Sequence, residues 1–174
     1  MFATPYFKLV GKRLADDEAG DPFYSLEMPD YVTVVATTTA GDLILVKQFR
    51  PAVEAITLEL PAGHVDAGQT PEEAARRELL EETGFAAVNT IFVGRLSPDT
   101  GRLANRMWVF VAPAVEPQSG HIDEPGIEVV TVTPAELARL LAEGLFDHAL
   151  HLAALLLAVQ RGYLALPARE GNAT

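Results

Sequence analysis

The sequence predicts an α+β fold, and three observations carry that prediction. Short β-branched and apolar runs bounded by turn residues recur along the chain. Two Thr-Pro-x-Glu signals, at Thr70 and at Thr133, each open a stretch with helical patterning. Strands and helices then mix without a regular β-α-β repeat, which argues against a doubly wound sheet.

The elements follow in order. Tyr6 to Val10 and Phe23 to Met28 read as short strands around the acidic turn Asp16 to Asp21. Tyr31 to Thr37 and Leu43 to Phe49 are β-branched and apolar, and the turn Ala40-Gly41-Asp42 joins them as a hairpin. Ile56 to Leu60 is a short strand. A helix runs from Pro71 to Thr83, with Thr70 as N-cap, Glu73 closing a capping box and Gly84 in the left-handed C-terminal position. Thr90 to Arg95, Arg106 to Ala112 and Glu128 to Val132 are strands. A second helix opens at Thr133-Pro134 and ends near Gly144, and a strongly apolar one spans Phe146 to Gln160. The tail from Pro167 to Thr174 is expected to fray.

Composition narrows the function. A chain of 174 residues can bury the core of one domain. A net charge of −11 argues against a nucleic-acid or anionic-membrane surface. It also means that an anionic substrate needs cations at its site. With no cysteine, disulfides and thiolate metal sites are excluded. The N-terminus lacks a basic start followed by an apolar run, and Leu152 to Val159 is too short to span a bilayer, so a cytoplasmic location is expected.

The first predicted helix carries the chemistry. Glu78 and Glu82 lie one turn apart, offset by roughly 40° around the axis. Ala74, Ala75 and Leu79 share or border their side, whereas Arg76 and Leu80 fall opposite. Glu81 sits at the edge of that face, four residues after Arg77, where the two can pair. Like charges this close repel, and an oxygen-rich cluster of this kind suits a hard divalent cation.

Gly63, Arg77-Glu78-Leu79, Glu81-Glu82 and Gly84-Phe85 have the spacing of the Nudix box, which this segment resembles. It departs at one defining position, where Gln69 stands in place of the family's glutamate. Gln48-Phe49-Arg50-Pro51 and Leu58-Glu59-Leu60-Pro61-Ala62-Gly63 are similar to the ADP-ribose pyrophosphatase branch of the Nudix hydrolases. In the loop Ser97 to Arg106, the Asn105-Arg106 end departs from that branch. The resemblance covers residues from Tyr31 to the C-terminal helices and implies an α/β/α sandwich with a mixed sheet. The organisation expected is a short N-terminal β segment over 1–30, a Nudix domain over 31–166 and a frayed tail over 167–174.

The resemblance implies Mg2+, or Mn2+ in its place, held by Glu78 and Glu82 with the Ala62 carbonyl. Glu81 is a further ligand or an acceptor beside the metal, and Arg77 orients it. Arg50 is a candidate phosphate clamp, because guanidinium binds phosphate oxygens bidentately. Glu59 completes the site or anchors Arg77; otherwise it is a strand-edge carboxylate. The base that takes the proton of the attacking water is expected from the acidic loop His121 to Gly126, with Glu124 first, Asp123 next. His148 and His151, three apart, are expected on a helix surface or in a dimer contact. Trp108, Phe110 and Phe92 are expected in the core, and Lys47 at the surface.

The expected substrate is therefore a small nucleoside diphosphate derivative, ADP-ribose or a related ADP-sugar. Another nucleotide sugar such as GDP-mannose is the chemical alternative. A non-catalytic ligand-binding module is the alternative of a different class, but Glu78, Glu81 and Glu82 are all present. Residues 1 to 30 look too irregular to form a core, yet carry Phe2, Tyr6, Phe7, Phe23 and Tyr24. That concentration of aromatics predicts a homodimer contact.

Overall fold

A computed structural model describes residues 2–13, 15 and 20–167. Most of the acidic turn expected at Asp16 to Asp21, and the tail beyond Pro167, lie outside the described residues. Strands β1 (Phe2–Ala3), β2 (Lys8–Lys12) and β3 (Phe23–Glu27) form a small antiparallel sheet in that order. The strand expected from Tyr6 starts later, because Thr4 Oγ1 accepts from the Tyr6 and Phe7 amides and closes a turn there.

The larger sheet has eight strands. They are β4 (Tyr31–Thr38), β5 (Leu43–Arg50), β6 (Ala55–Glu59), β7 (Ala62–His64), β8 (Phe85–Ala86), β9 (Ile91–Leu96), β10 (Met107–Pro117) and β11 (Ile127–Val132). Its spine runs β11-β5-β4-β10-β8, with β6 on β5, β7 on β4 and β9 on β10. β4 and β10 run parallel, Val32 opposite Trp108, and the other pairs are antiparallel, so the sheet is mixed.

The predicted β4–β5 hairpin is present, with Gly41 at φ 88° in its turn and Thr37 opposite Leu43. Beyond the turn the strands part, and the Val34 amide donates to the Pro61 carbonyl at 2.9 Å. The β6–β7 corner, with the short β7 that sequence reasoning missed, thus sits against the middle of the sheet. β10 outruns its predicted end at Ala112 through a bulge before Val115, where Ala114 has φ 52°.

Both faces of this sheet are covered. Val32, Val34, Ala36 and Ile44 pack with Ala74, Ala75 and Leu79 of α1 (Pro71–Thr83). On the other face Val35, Leu43, Leu45 and Val109 pack with Leu137 of α2 (Pro134–Ala142) and with Ala154 and Leu155 of α3 (Ala149–Gln160). Burial on both sides is why β4 reads as a nearly unbroken apolar run. The last helix begins at Ala149, not Phe146: His148 caps it by accepting from the His151 amide, and Phe146 is buried in the core ahead of it.

Candidate active site

The bounds of α1 are set by its caps. Thr70 Oγ1 accepts from the Glu73 amide, the Glu73 carboxylate accepts from the Thr70 amide, and Gly84 takes φ 72°. The helix lies against β4 and β7, which brings its carboxylate face onto the backbone of Ala62 and Gly63.

Glu82 is buried, and its Oε2 accepts from the Ala62 N–H at 2.9 Å. Glu78 presses on Gly63: a Cβ there would lie 1.9 Å from Glu78 Oε1. Only a residue without a side chain allows this approach. Burial pushes the Glu82 carboxyl up to about 8. The Ala62 N–H draws it back, the Glu78 and Glu124 carboxylates push it further up, and the Arg50 charge opposes them weakly. Glu78 is likewise raised by burial, against the pull of Arg77.

Arg77 binds Glu81 Oε2 at 2.8 Å, Glu78 Oε1 at 2.9 Å and the His64 carbonyl at 2.9 Å, with Asp66 at 3.4 Å. It therefore fixes the half-exposed Glu81 beside Glu78. Glu81 and Glu124 line one open cavity of about 570 Å³, together with His121 and Asp123. Glu124 acts on Glu78 and Glu82 through space, which places the acidic loop opposite the helix carboxylates.

The expectation that Glu59 anchors Arg77 is corrected. Glu59 is buried, and its two oxygens accept from Arg50 Nε and Nη2, both at 2.7 Å; the Thr57 hydroxyl adds a third bond at 2.6 Å. Burial alone would raise this carboxyl, but the Arg50 and Thr57 hydrogen bonds and the guanidinium charge hold it at about 2. The register explains the pairing: Gln48 faces Thr57 and Val46 faces Glu59, so Arg50, Thr57 and Glu59 share one face of the β5–β6 hairpin. Arg50 and Glu59 line a second cavity, of about 330 Å³, with Ala62, Gly63 and His64.

His151 is also corrected, from helix surface to core. It is buried, and its Nδ1 accepts from the Leu60 N–H at 3.1 Å. Burial, with the neighbouring His148, lowers it to about 3, so it stays neutral. The two rings stack 3.8 Å apart. Glu59, His148 and His151 offer ligand-type atoms within 4.8 Å of one another. They do not suit a metal: both Glu59 oxygens are committed to Arg50, and a neutral His151 that accepts at Nδ1 carries its proton on Nε2. Of the expected core aromatics only Phe110 is buried. Phe92 is half exposed, and Trp108 is partly exposed because its Nε1 donates to Asp30 at the strand end, 2.9 Å away. Lys47 is partly exposed and pairs with Glu128.

Residues 28–155 match the family model of the NUDIX domain. The chain belongs to the NUDIX family. Its sandwich is the Nudix fold: a solved structure titled ADP compounds hydrolase superposes with a TM-score of 0.75 at 26% identity, over 94% of this chain and 92% of that one. The ADP-ribose pyrophosphatase of Bacillus subtilis (strain 168) is 36% identical over 115 residues, 64% of this chain. The ADP compounds hydrolase NudE of Escherichia coli (strain K12) is 34% identical over 116 residues, 66% of this chain. Each match spans 62% of the relative's length. Within this Nudix domain the box residues Gly63, Glu78, Glu81 and Glu82 meet at one place, and Arg50, Glu59 and the 121–126 loop flank it.

Proposed function

We propose that this Nudix protein is a magnesium-dependent pyrophosphohydrolase, with manganese as a working substitute. Its substrate is a nucleoside diphosphate linked to another group, ADP-ribose or a related ADP-sugar, and its products are a nucleoside monophosphate and a sugar phosphate. The observation that carries this reading is the buried Glu82 and the partly buried Glu78 side by side against Ala62 and Gly63. Two carboxylates whose ionised forms are disfavoured by burial and by neighbouring carboxylates, Glu81 and Glu124 for Glu78 and Glu78 and Glu124 for Glu82, are suited to a hard cation. Glu78, Glu82, Glu81 and the Ala62 carbonyl would hold the ion. When bound it supplies charge neutralisation on the phosphoryl oxygens and acidifies water.

The chain's own groups do the rest. Arg50, held by Glu59, binds phosphate oxygens at the 330 Å³ cavity. Water attacks one phosphorus of the pyrophosphate and Glu124 takes its proton; the bridging P–O bond breaks and the other phosphate leaves with the bridging oxygen, while Arg77 keeps Glu81 in place. The names of the Bacillus and Escherichia relatives support the ADP-compound substrate class.

A panel of ADP-ribose, ADP-glucose, GDP-mannose and a nucleoside triphosphate, with and without Mg2+, tests the reading by product identity. AMP and ribose 5-phosphate, formed only with metal, are expected. Preference for GDP-mannose would reassign the substrate, and no turnover of any compound would overturn the proposal.

We further propose a homodimer joined through the N-terminal segment. Phe2, Tyr6, Phe23 and Tyr24 on and beside the small sheet are each more than half exposed. Light scattering at micromolar concentration should give twice the mass of one chain. A monomer with full activity refutes this.

A further inference from the structure

The 330 Å³ cavity beside Ala62 and Gly63 holds a group that the chemistry above does not use. Asn105 lines it and is 4% exposed. Its Nδ2 donates to the Pro29 carbonyl at 3.0 Å, which fixes which way the amide points, since a carbonyl can only accept. Its Oδ1 is buried without a partner in the protein. Buried acceptors left unpaired are costly, and each one that a protein keeps calls for a water or a ligand.

The other walls describe what the ligand presents there. Met28, Leu103 and Leu150 are apolar, and Tyr31 and His148 contribute rings. Burial pushes the Tyr31 hydroxyl up to about 12, so that ring carries no charge. A sugar brings several hydroxyls that each need a partner, and these walls offer few, because Arg50 and Glu59, which line the same cavity, are paired with each other and Arg50 is assigned to the phosphate. A planar base brings apolar faces and a short polar edge. The volume lies at the lower end for ligand pockets, enough for part of a nucleotide.

We propose that Asn105 is a specificity-determining residue whose Oδ1 accepts a hydrogen bond from the exocyclic amine of the substrate's nucleobase. It selects a base that bears an exocyclic amine, as adenine does, over one without it. This rests on the pyrophosphohydrolase reading.

The test compares ADP-ribose with its analogue in which purine replaces adenine, a change that removes only the amine. The wild type should favour ADP-ribose by tenfold or more in kcat/KM, mostly through KM. Asn105→Leu should bring that ratio to within twofold of unity, because enzyme and substrate each lose one half of the same bond. If Asn105 only tethers Pro29, the variant weakens both substrates alike and keeps the wild-type ratio, which overturns the proposal. A third compound, with 2-deoxyribose as the terminal sugar, distinguishes the source of the donor. Should Asn105→Leu change discrimination there and not at the base, the acceptor reads the sugar and the base assignment is wrong. Calorimetry of wild-type protein with AMP and with purine riboside monophosphate supplies a second measurement if the variant fails to fold. Equal affinities would overturn the proposal. Absence of turnover by the wild type itself would instead count against the pyrophosphohydrolase reading.

Discussion

Glu82→Gln separates the fold from the chemistry at one atom. In the metal-free protein the folded state raises this carboxyl from 4.5 to about 8. A folded value above the unfolded one means that the folded state binds the proton more tightly. The associated stability is fully present below pH 4.5 and is lost as pH rises through 8. Taken whole, the shift corresponds to ~5 kcal/mol. Relaxation and water entry reduce such penalties, and about 2 kcal/mol is a conservative figure. Glutamine keeps the volume and an oxygen that can accept from the Ala62 N–H, but never ionises. At pH 8 without metal, Glu82→Gln should therefore melt roughly 4–8 °C higher than the wild type, and at pH 5 the gap should close. Added Mg2+ should raise Tm in the wild type much more than in the variant. Turnover should fall by at least about 100-fold at saturating Mg2+. Calorimetric melts at both pH values, with and without Mg2+, and one steady-state assay measure all of this. Identical metal-free melts at pH 8, or near-wild-type turnover, would refute the reasoning.

Three further outcomes are expected. Glu124→Gln should lower kcat strongly with metal affinity and KM little changed, and Asp123→Asn should matter less; if neither matters, the base moves to Glu81. Gly63→Ala places a Cβ where the Glu78 carboxylate now sits, so that flexible end must swing away. Titration calorimetry with Mn2+ should show affinity down by about tenfold or more while the fold survives. His151→Leu strands the Leu60 N–H, at a cost of ~1–3 kcal/mol or roughly 3–10 °C in Tm. Because His151 is lowered to about 3 in the folded state, the wild type loses stability through this group as pH falls below its unfolded value, and the variant should lack that loss.

What could be read from the chain alone divides by the range of the interactions. The bounds of α1 follow from Thr70, Glu73 and Gly84, all local signals, and both match the structure. The short strands β7 and β8 have no local signature; they exist because Ala62–His64 finds β4 and Phe85–Ala86 finds the extended end of β10. The Arg50–Glu59 pair crosses a hairpin, and alternation counted from the turn at Pro51 to Glu54 would have put both on one face. The place of His151 is not legible in the sequence, because its partner, Leu60, is 91 residues away, and a histidine among leucines and alanines gives no sign of which backbone group it meets. Asn105 stands out in the sequence only as a departure from the branch pattern, because its partner Pro29 is 76 residues away.

The contact between Ala62 and Glu82 is made by main chain. Every amino acid but proline carries that N–H, so nearly any replacement at position 62 can leave it in place. The neighbouring Gly63 has the opposite character: any side chain there displaces the Glu78 carboxylate. The two backbone positions thus support the Glu78 and Glu82 carboxylates in different ways: the first contact outlasts most substitutions, and the second gives way to any added side chain. The wall that would meet the rest of the substrate includes a loop side chain, Asn105 between β9 and β10. Under the proposed function, such a division would let substrate preference drift while the proposed hydrolytic centre stays as it is.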